Sequence, residues 1–276
     1  MPEDGRFPEG RPVRMQRARG SADVVLAASG GVTRIADLYQ AGSAKAFLPR
    51  VHGPVPEVVF LNTSGGLTGG DRISFALTLG KGTRAVGTTQ TAERAYSSAA
   101  GRAELAVSLT VGPGAALDWL PQETILFDRS ALGRTTRAEL APDARFVMVE
   151  MVALGRAAMG ERLQKLDFTD WREVRRAGVP VLVEPLRLAT STLGAGPAAL
   201  GGQRAVATVA LVAQGAEDAL ASLRALTLDG VEHAASAWNG KLVLRLLGPD
   251  LRPVKQAVAR VLRHLRGQPL PRVWQL

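Results

Sequence analysis

A chain that performs acid–base or metal chemistry must supply the side chains for it, and here the supply is lopsided: no cysteine, three histidines and 25 carboxylates in 276 residues. Without thiols there is neither a disulfide framework nor a thiolate metal site. His52, His233 and His264 lie far apart with no paired spacing, so a closed imidazole site is not expected, and no nucleophile-elbow motif supports a Ser-His-Asp triad. Each histidine reads as structural or surface. The acids are more informative. Asp71 ends a glycine-rich loop, Glu93 follows a polar TTQT run at 88–91, Glu123 and Asp128 bracket the apolar segment 124–127, and Glu161 closes LGRAAMGE. A carboxylate beside an apolar run is costly if buried without a partner. Two answers stand: an ion pair with a sequence neighbour (Arg72, Arg94, Arg129, Arg156 or Arg162), or a wet interior passage in which the acids meet a cation.

The loop at 63–71, TSGGLTGGD, carries Gly65, Gly66, Gly69 and Gly70, which predicts left-handed turns or a close backbone approach. A phosphate cradle would need Lys and Ser or Thr after the last glycine and then a helix. Here Asp71 and Arg72 follow, and then the alternating Ile73, Phe75, Leu77 and Leu79 of a strand. An anion would meet a carboxylate and no helix dipole, so nucleotide binding is not expected.

Short strands must position these groups. Residues 58–61, 73–79, 84–91, 103–111, 116–120, 134–140 and 146–154 read as strands. Hairpins are expected at Gly30-Gly31, between 23–29 and 32–38, and at Ala177-Gly178, between 163–176 and 179–188. Strand after strand without long helices argues against βαβ units and for stacked or coiled sheets, and composition does not choose between a sandwich and a β-helix. After a Gly/Ala-rich loop at 191–203 the pattern becomes βαββα: strand 204–213, helix 217–226, strand 231–238, the Asn239-Gly240 turn, strand 241–247 and a last helix. Pro253 is expected to open that helix, Val254, Ala257, Val258, Val261, Leu262 and Leu265 to form its buried face, and Gly267 to stop it. This portion is expected to cover its own small sheet and dock on the body. Arg260, Arg263, His264 and Arg266 read as its solvated side or end, and the tail 271–276 as a docking segment or a tucked one.

The resulting organisation is a flexible basic arm at 1–20, a β-rich body at 21–190 and an α/β portion at 204–276, packed as one unit. The net charge of +9 raises nucleic acid or an acidic protein as partner. Of the 34 basic residues 29 are arginine and five lysine, scattered except at 6–19 and at Arg172, Arg175 and Arg176, and only 5% of residues are aromatic. No stacking platform for bases accompanies them, which favours the acidic protein over nucleic acid. No run of 18 apolar residues and no apolar leader segment is present, so a cytoplasmic location without a membrane is expected.

Five segments in order, LNTSGGLTGGDR (61–72), TTQTAERAY (88–96), LDWLPQETILFD (117–128), LGRAAMGE (154–161) and LPRVW (270–274), resemble the urease accessory proteins of the UreD (UreH) family. Thr63 stands where many relatives have proline, and Ser98 where an arginine is expected. The resemblance implies a mainly β fold, a β-helix-like body of two facing sheets, to which the C-terminal α/β (βαββα) portion is added. It also implies a non-enzymatic scaffold that binds the urease structural subunits and, with a UreF-type accessory protein and a UreG-type GTPase, assists nickel insertion through an internal tunnel. On that reading Asp71, Glu123, Asp128 and Glu161 are the candidate transient nickel path, with no tightly bound cofactor: carboxylates hold Ni²⁺ loosely enough to release it, where nitrogen and sulfur would trap it. Two other classes remain open from the residues alone. One is a β-helical carbohydrate-active enzyme using Glu123 and Asp128 as paired acids, although only two Tyr and four Trp are available to line a sugar groove. The other is a basic nucleic-acid-binding protein.

Overall fold

The structure, a computed structural model, describes residues 16–50 and 53–274. Its strands in chain order are β1 (Arg19–Ser29), β2 (Val32–Gly42), β3 (Ala44–Phe47), β4 (Glu57–Asn62), β5 (Arg72–Leu79), β6 (Arg84–Thr89), β7 (Glu93–Ala95), β8 (Ala103–Val111), β9 (Ala116–Leu120), β10 (Thr124–Leu126), β11 (Ser130–Leu140), β12 (Arg145–Leu154), β13 (Leu166–Arg176), β14 (Val179–Ala189), β15 (Ala205–Val212), β16 (Glu232–Trp238) and β17 (Lys241–Gly248). The helices are α1 (Thr190–Leu193), α2 (Ala219–Arg224) and α3 (Leu251–Arg266). Two sheets result: β14-β13-β11-β8-β5-β1-β2, and β16-β17-β15-β12-β9-β6-β4-β3 with β10 beside β12 and β7 beside β10.

Period-two alternation makes these strands two-faced. In β5 Ile73, Phe75, Leu77 and Leu79 point inward, and β8 alternates buried and exposed along its whole length. The chain crosses from sheet to sheet as it advances: β4, β6, β9 and β12 of one sheet alternate with β5, β8, β11 and β13 of the other, and neighbours within each run are parallel. A coil with one strand per sheet per turn is the β-helix-like body that the resemblance implied. The Gly30-Gly31 and Ala177-Gly178 hairpins form as expected, with left-handed φ values of 59°, 76°, 48° and 76°. They place an antiparallel strand at each end of the first sheet.

The C-terminal portion differs from expectation: it has no sheet of its own. β15 pairs antiparallel with β12, from Phe146↔Val212 to Ala153↔Ala205, and β17 and β16 follow, so all three strands continue the second sheet. The reason is in β12 itself, where nine of ten residues are buried. Phe146, Met148 and Val152 face the core between the sheets, while Val147, Val149 and Met151 face outward and need a cover, which α3 provides with Val254, Val258, Val261 and Leu262. Each of those four contributes roughly 1.5–3 kcal/mol by burial.

Asp250 caps α3 by accepting the Arg252 N–H at 2.7 Å, and Gly267 ends it at φ 62°. The helix starts at Leu251, two residues before Pro253; the proline sits in the first turn, where its missing N–H has no partner to lose. Arg266 is not solvated as expected, because its Nε donates to Asp118 at 2.7 Å with a side chain 2% exposed. Arg260 and Arg263 are exposed, and exposed His264 shares a 2.9 Å hydrogen bond with Ser222. The tail is tucked at Trp274, which is 2% exposed and donates Nε1–H to the Leu120 carbonyl at 2.9 Å. The strand expected at 84–91 stops at Thr89, and the Thr88 hydroxyl is satisfied by Leu120 O at 2.6 Å. β1 takes Arg19 and Gly20 from the expected arm; the rest of that arm up to residue 15, His52, Gln275 and Leu276 lie outside the described residues.

Candidate functional site between the two sheets

Four turns of a β-helix filled with Leu, Phe and Val need no charge inside, yet one layer is ionic. On the first sheet β11 points Arg134 and Thr136 inward, and β13 points Asp170 and Arg172 inward, in the register Arg134↔Asp170 and Thr136↔Arg172↔Glu184. On the second, Glu150, Thr208 and Arg245 form one cross-strand row. The rows face each other. Asp170 Oδ1 accepts Arg134 Nε at 3.0 Å, while its Oδ2 accepts Arg134 Nη2 at 2.5 Å and Arg172 Nε at 2.7 Å. Arg134 also reaches Thr124 Oγ1 at 2.9 Å and Glu150 at 2.7 Å. Arg172 Nη1 donates to Glu184 and to Thr208, both at 2.9 Å, and Arg245 Nε donates to Glu184 at 2.7 Å.

The electrostatics follow from this crowding. Burial raises Glu150 above the usual carboxylate range despite Arg134 beside it. Burial opposes the Asp170 charge as well, but the two guanidiniums overcome it and hold its carboxyl low. Arg134 is likewise penalised by burial and held charged by Asp170 and Glu150.

Cavities flank the layer. One, of about 70 Å³, is lined by Asn62, Glu93, Trp119, Thr124, Arg134 and Glu150 among others, which is room for several waters. Trp119 Nε1, buried at its wall, makes no hydrogen bond in the protein, while Glu150 Oε2 is held by Arg134 Nη1 at 2.7 Å. Glu93, with Asn62 Nδ2 at 3.5 Å, is pushed up to about 7 by burial. The other cavity, of about 560 Å³, is lined by Arg172, Glu184, Thr208 and Arg245 with apolar Leu186, Leu188, Val206 and Leu247.

The glycine loop borders the smaller cavity through Asn62 and Gly65, and both readings of its glycines hold. Gly65, Gly66 and Gly70 have φ of 81°, 154° and 93°. A Cβ on Gly66 would lie 2.4 Å from the Tyr96 ring, and one on Gly69 would lie 2.1 Å from Ser98 Oγ.

The four acids named from sequence are not brought together. Asp71, 4% exposed, accepts the N–H groups of Ala18 and Thr68, both at 2.8 Å, and so ties the loop to the start of β1 without using Arg72. Glu123 accepts Lys255 Nζ at 2.8 Å, a partner from α3 and not a sequence neighbour. Its neighbour Thr124 reaches inward to Arg134, so Glu123 points to the helix-covered side. Asp128 accepts the N–H groups of Gln164 at 2.7 Å and Lys165 at 3.0 Å, which hold its carboxyl low, with Arg129 only at 3.8 Å. Glu161 pairs with Arg156 as the ion-pair reading expected, at 2.9 Å, and this hydrogen bond lowers it to about 2. It also accepts Asp128 N–H at 3.1 Å, so these two acids share a corner. Glu123 and Asp128 are held by separate partners, which leaves the paired-acid enzyme without geometric support. Among the described residues no cluster of three or more His, Cys, Asp or Glu could hold a metal ion.

What the sequence reading missed is the ionic layer, and a signal for it existed. Glu150 is the lone acid in FVMVEMVAL, and Arg134, Asp170 and Arg172 occupy inward positions of strands whose alternation was already evident.

The UreD urease accessory protein family model matches residues 18–275. The chain belongs to that family. Proteins named urease accessory protein UreD are similar to it along nearly its whole length: one from Cereibacter sphaeroides is 60% identical over 95% of this chain and 96% of its own. One from Dinoroseobacter shibae is 57% identical over 95% and 94%, and one from Paracoccus denitrificans 49% identical over 96% and 95%. Membership of the UreD family supports a role in urease maturation and an accessory, non-catalytic part in it. No described helix is long and apolar enough to cross a membrane.

Proposed function

We propose that this UreD-family protein is a scaffold that binds the urease apoprotein and, with a UreF-type protein and a UreG-type GTPase, assists nickel insertion by conducting the ion between its two sheets. The observation that carries this reading is the ionic layer with a cavity on either side, inside a body otherwise packed with apolar side chains. Its acidic groups are oxygen donors without cysteine, and oxygen ligands exchange a borderline ion such as Ni²⁺ readily. Five arginines, Arg134, Arg145, Arg172, Arg245 and Arg266, are paired with Asp118, Glu150, Asp170 and Glu184.

The route passes Glu93 and Glu150. For Asp71, Glu123, Asp128 and Glu161 the test is direct: each is replaced by Ala in cells expressing a urease operon, and urease nickel is measured. Unchanged nickel with the complex still assembled removes that residue from the path. Pull-down with this chain followed by mass spectrometry identifies its partners; recovery without urease subunits or a UreF-type protein overturns the scaffold reading.

A further inference from the structure

The middle of the interior layer is occupied. Asp170 is gripped from two sides, by Arg134 Nε and Nη2 at 3.0 and 2.5 Å and by Arg172 Nε and Nη2 at 2.7 and 2.6 Å. Neither guanidinium can be neutralised by losing a proton. The smaller cavity ends on Arg134 and Glu150, and the larger on Arg172 and Glu184. Counted together, Arg134, Arg172 and Arg245 balance Glu150, Asp170 and Glu184, so an added divalent ion is uncompensated unless a guanidinium yields its carboxylate. Each arginine has somewhere to pivot: Arg134 retains Thr124 and the face of Phe168, with its CZ atom 5.7 Å from the ring centroid, and Arg172 retains Thr208.

We propose that the Arg134–Asp170–Arg172 clamp is a closed gate between two chambers of one passage, and that a divalent cation crosses it by replacing Arg134 on Glu150 and then Arg172 on Glu184. This rests on the conducting role proposed above and adds to it the residues that control passage. Glu150, which lines the smaller chamber and whose Oε2 is held by Arg134 Nη1 at 2.7 Å, is where the exchange begins. The arginines act by holding the carboxylates, not by binding the metal.

The test is the initial rate at which purified apo-urease, assembled with this chain and its accessory partners, takes up added nickel, read as metal per urease by mass spectrometry. With Arg172→Gln the rate rises on the order of tenfold or more, because the variant loses the hydrogen bonds to both Asp170 and Glu184 and the loss of any one bond to a charged group accounts for about tenfold. Arg172→Met combined with Glu184→Gln leaves no lone buried charge and shows the same rise. Arg172→Lys keeps the charge but cannot grip Asp170 and Glu184 together, so its rise is smaller, and it covers the case in which the neutral variants do not accumulate. Rates equal to or below wild type in the variants that assemble overturn the gate. Apo-urease that takes up nickel equally well without this chain overturns the conducting role instead.

Discussion

Glu93 offers a thermodynamic test of how dry the smaller cavity is. Burial pushes its carboxyl from 4.5 up to about 7, against hydrogen bonds from Asn62 and from the backbone of Arg94. Because the folded value lies above the unfolded one, the folded state holds the proton more tightly. Stability is therefore greatest below pH 4.5 and is lost as pH rises through 7. The gap corresponds to about 3.4 kcal/mol once both states are ionised, of which about 0.8 is already lost at pH 5 and nearly all by pH 8. Glu93→Gln replaces the neutral acid by a neutral amide of the same shape and removes this dependence. The variant should gain about 2.5 kcal/mol on wild type between pH 5 and pH 8. Any constant cost of the amide cancels in that difference, as do the titrations both proteins share. Urea unfolding of the purified full chain at the two pH values measures it. A stability difference between variant and wild type that is the same at pH 5 and pH 8 would show that Glu93 is ionised and solvated in the fold, and the reasoning about the cavity would fail.

Glu161 has the opposite sign: its carboxyl is lowered to about 2 by the Arg156 hydrogen bond, so its stabilisation is full above pH 4.5 and disappears as pH falls through 2. Glu161→Gln should unfold earlier than wild type at pH 7 and converge with it near pH 2, read by thermal melting. In the glycine loop, Gly69→Ala drives a Cβ into Ser98 and the Ala100 carbonyl and should cost about 1–3 kcal/mol, whereas Gly65→Ala meets open space and should cost only its φ of 81°, about 1 kcal/mol; equal costs would refute the close approach. Lys255→Met strands Glu123 and Gln122, which it holds at 2.8 and 2.7 Å, and should cost about 2 kcal/mol, visible as a lower urea midpoint. Replacing the layer outright, with Arg134→Met, Glu150→Leu, Asp170→Leu and Arg172→Met together, should leave stability equal or raise it by about 1–4 kcal/mol while urease nickel content falls; a marked loss of stability would make the layer structural.

Much of the coil was legible in the residues because period-two alternation reports burial one strand at a time. The alternation of β5 and β8, the Gly-Gly and Ala-Gly turns, and the Asn239-Gly240 turn at φ 50° and 70° all appear where the pattern puts them. What local pattern cannot report is which strand pairs with which. β15 to β17 read as a separate sheet since nothing in 204–248 says that the outer face of β12 lacks a cover; that fact is spread over Val147, Val149 and Met151, far back in the chain. The same limit hid the partners of the acids. Sequence neighbours were the only arginines in view, so Glu161 and Arg156 could be paired, but Glu123 with Lys255 and Asp118 with Arg266 join residues 132 and 148 positions apart. Asp71, Glu123, Asp128 and Glu161 are each held by local or helix partners away from the ionic layer, and Glu150, a lone charge in an apolar strand, is the stronger physical signal.

That signal carries weight because of what the layer costs. Arg134, Arg172, Asp170 and Glu150 are each at most 4% exposed, and desolvating charges to this degree returns, at best, roughly what was lost. The coils on the β5 and β8 side close the same gap with Phe60, Phe75, Leu77 and Trp119 and need no ions. A layer of paired charges that borders one cavity through Arg134 and Glu150 and a larger one on its far side through Arg172 and Glu184 is placed to handle something crossing it. Stability alone would have favoured leucine at those positions; the balanced charges make sense when the groups are required to let go of one another.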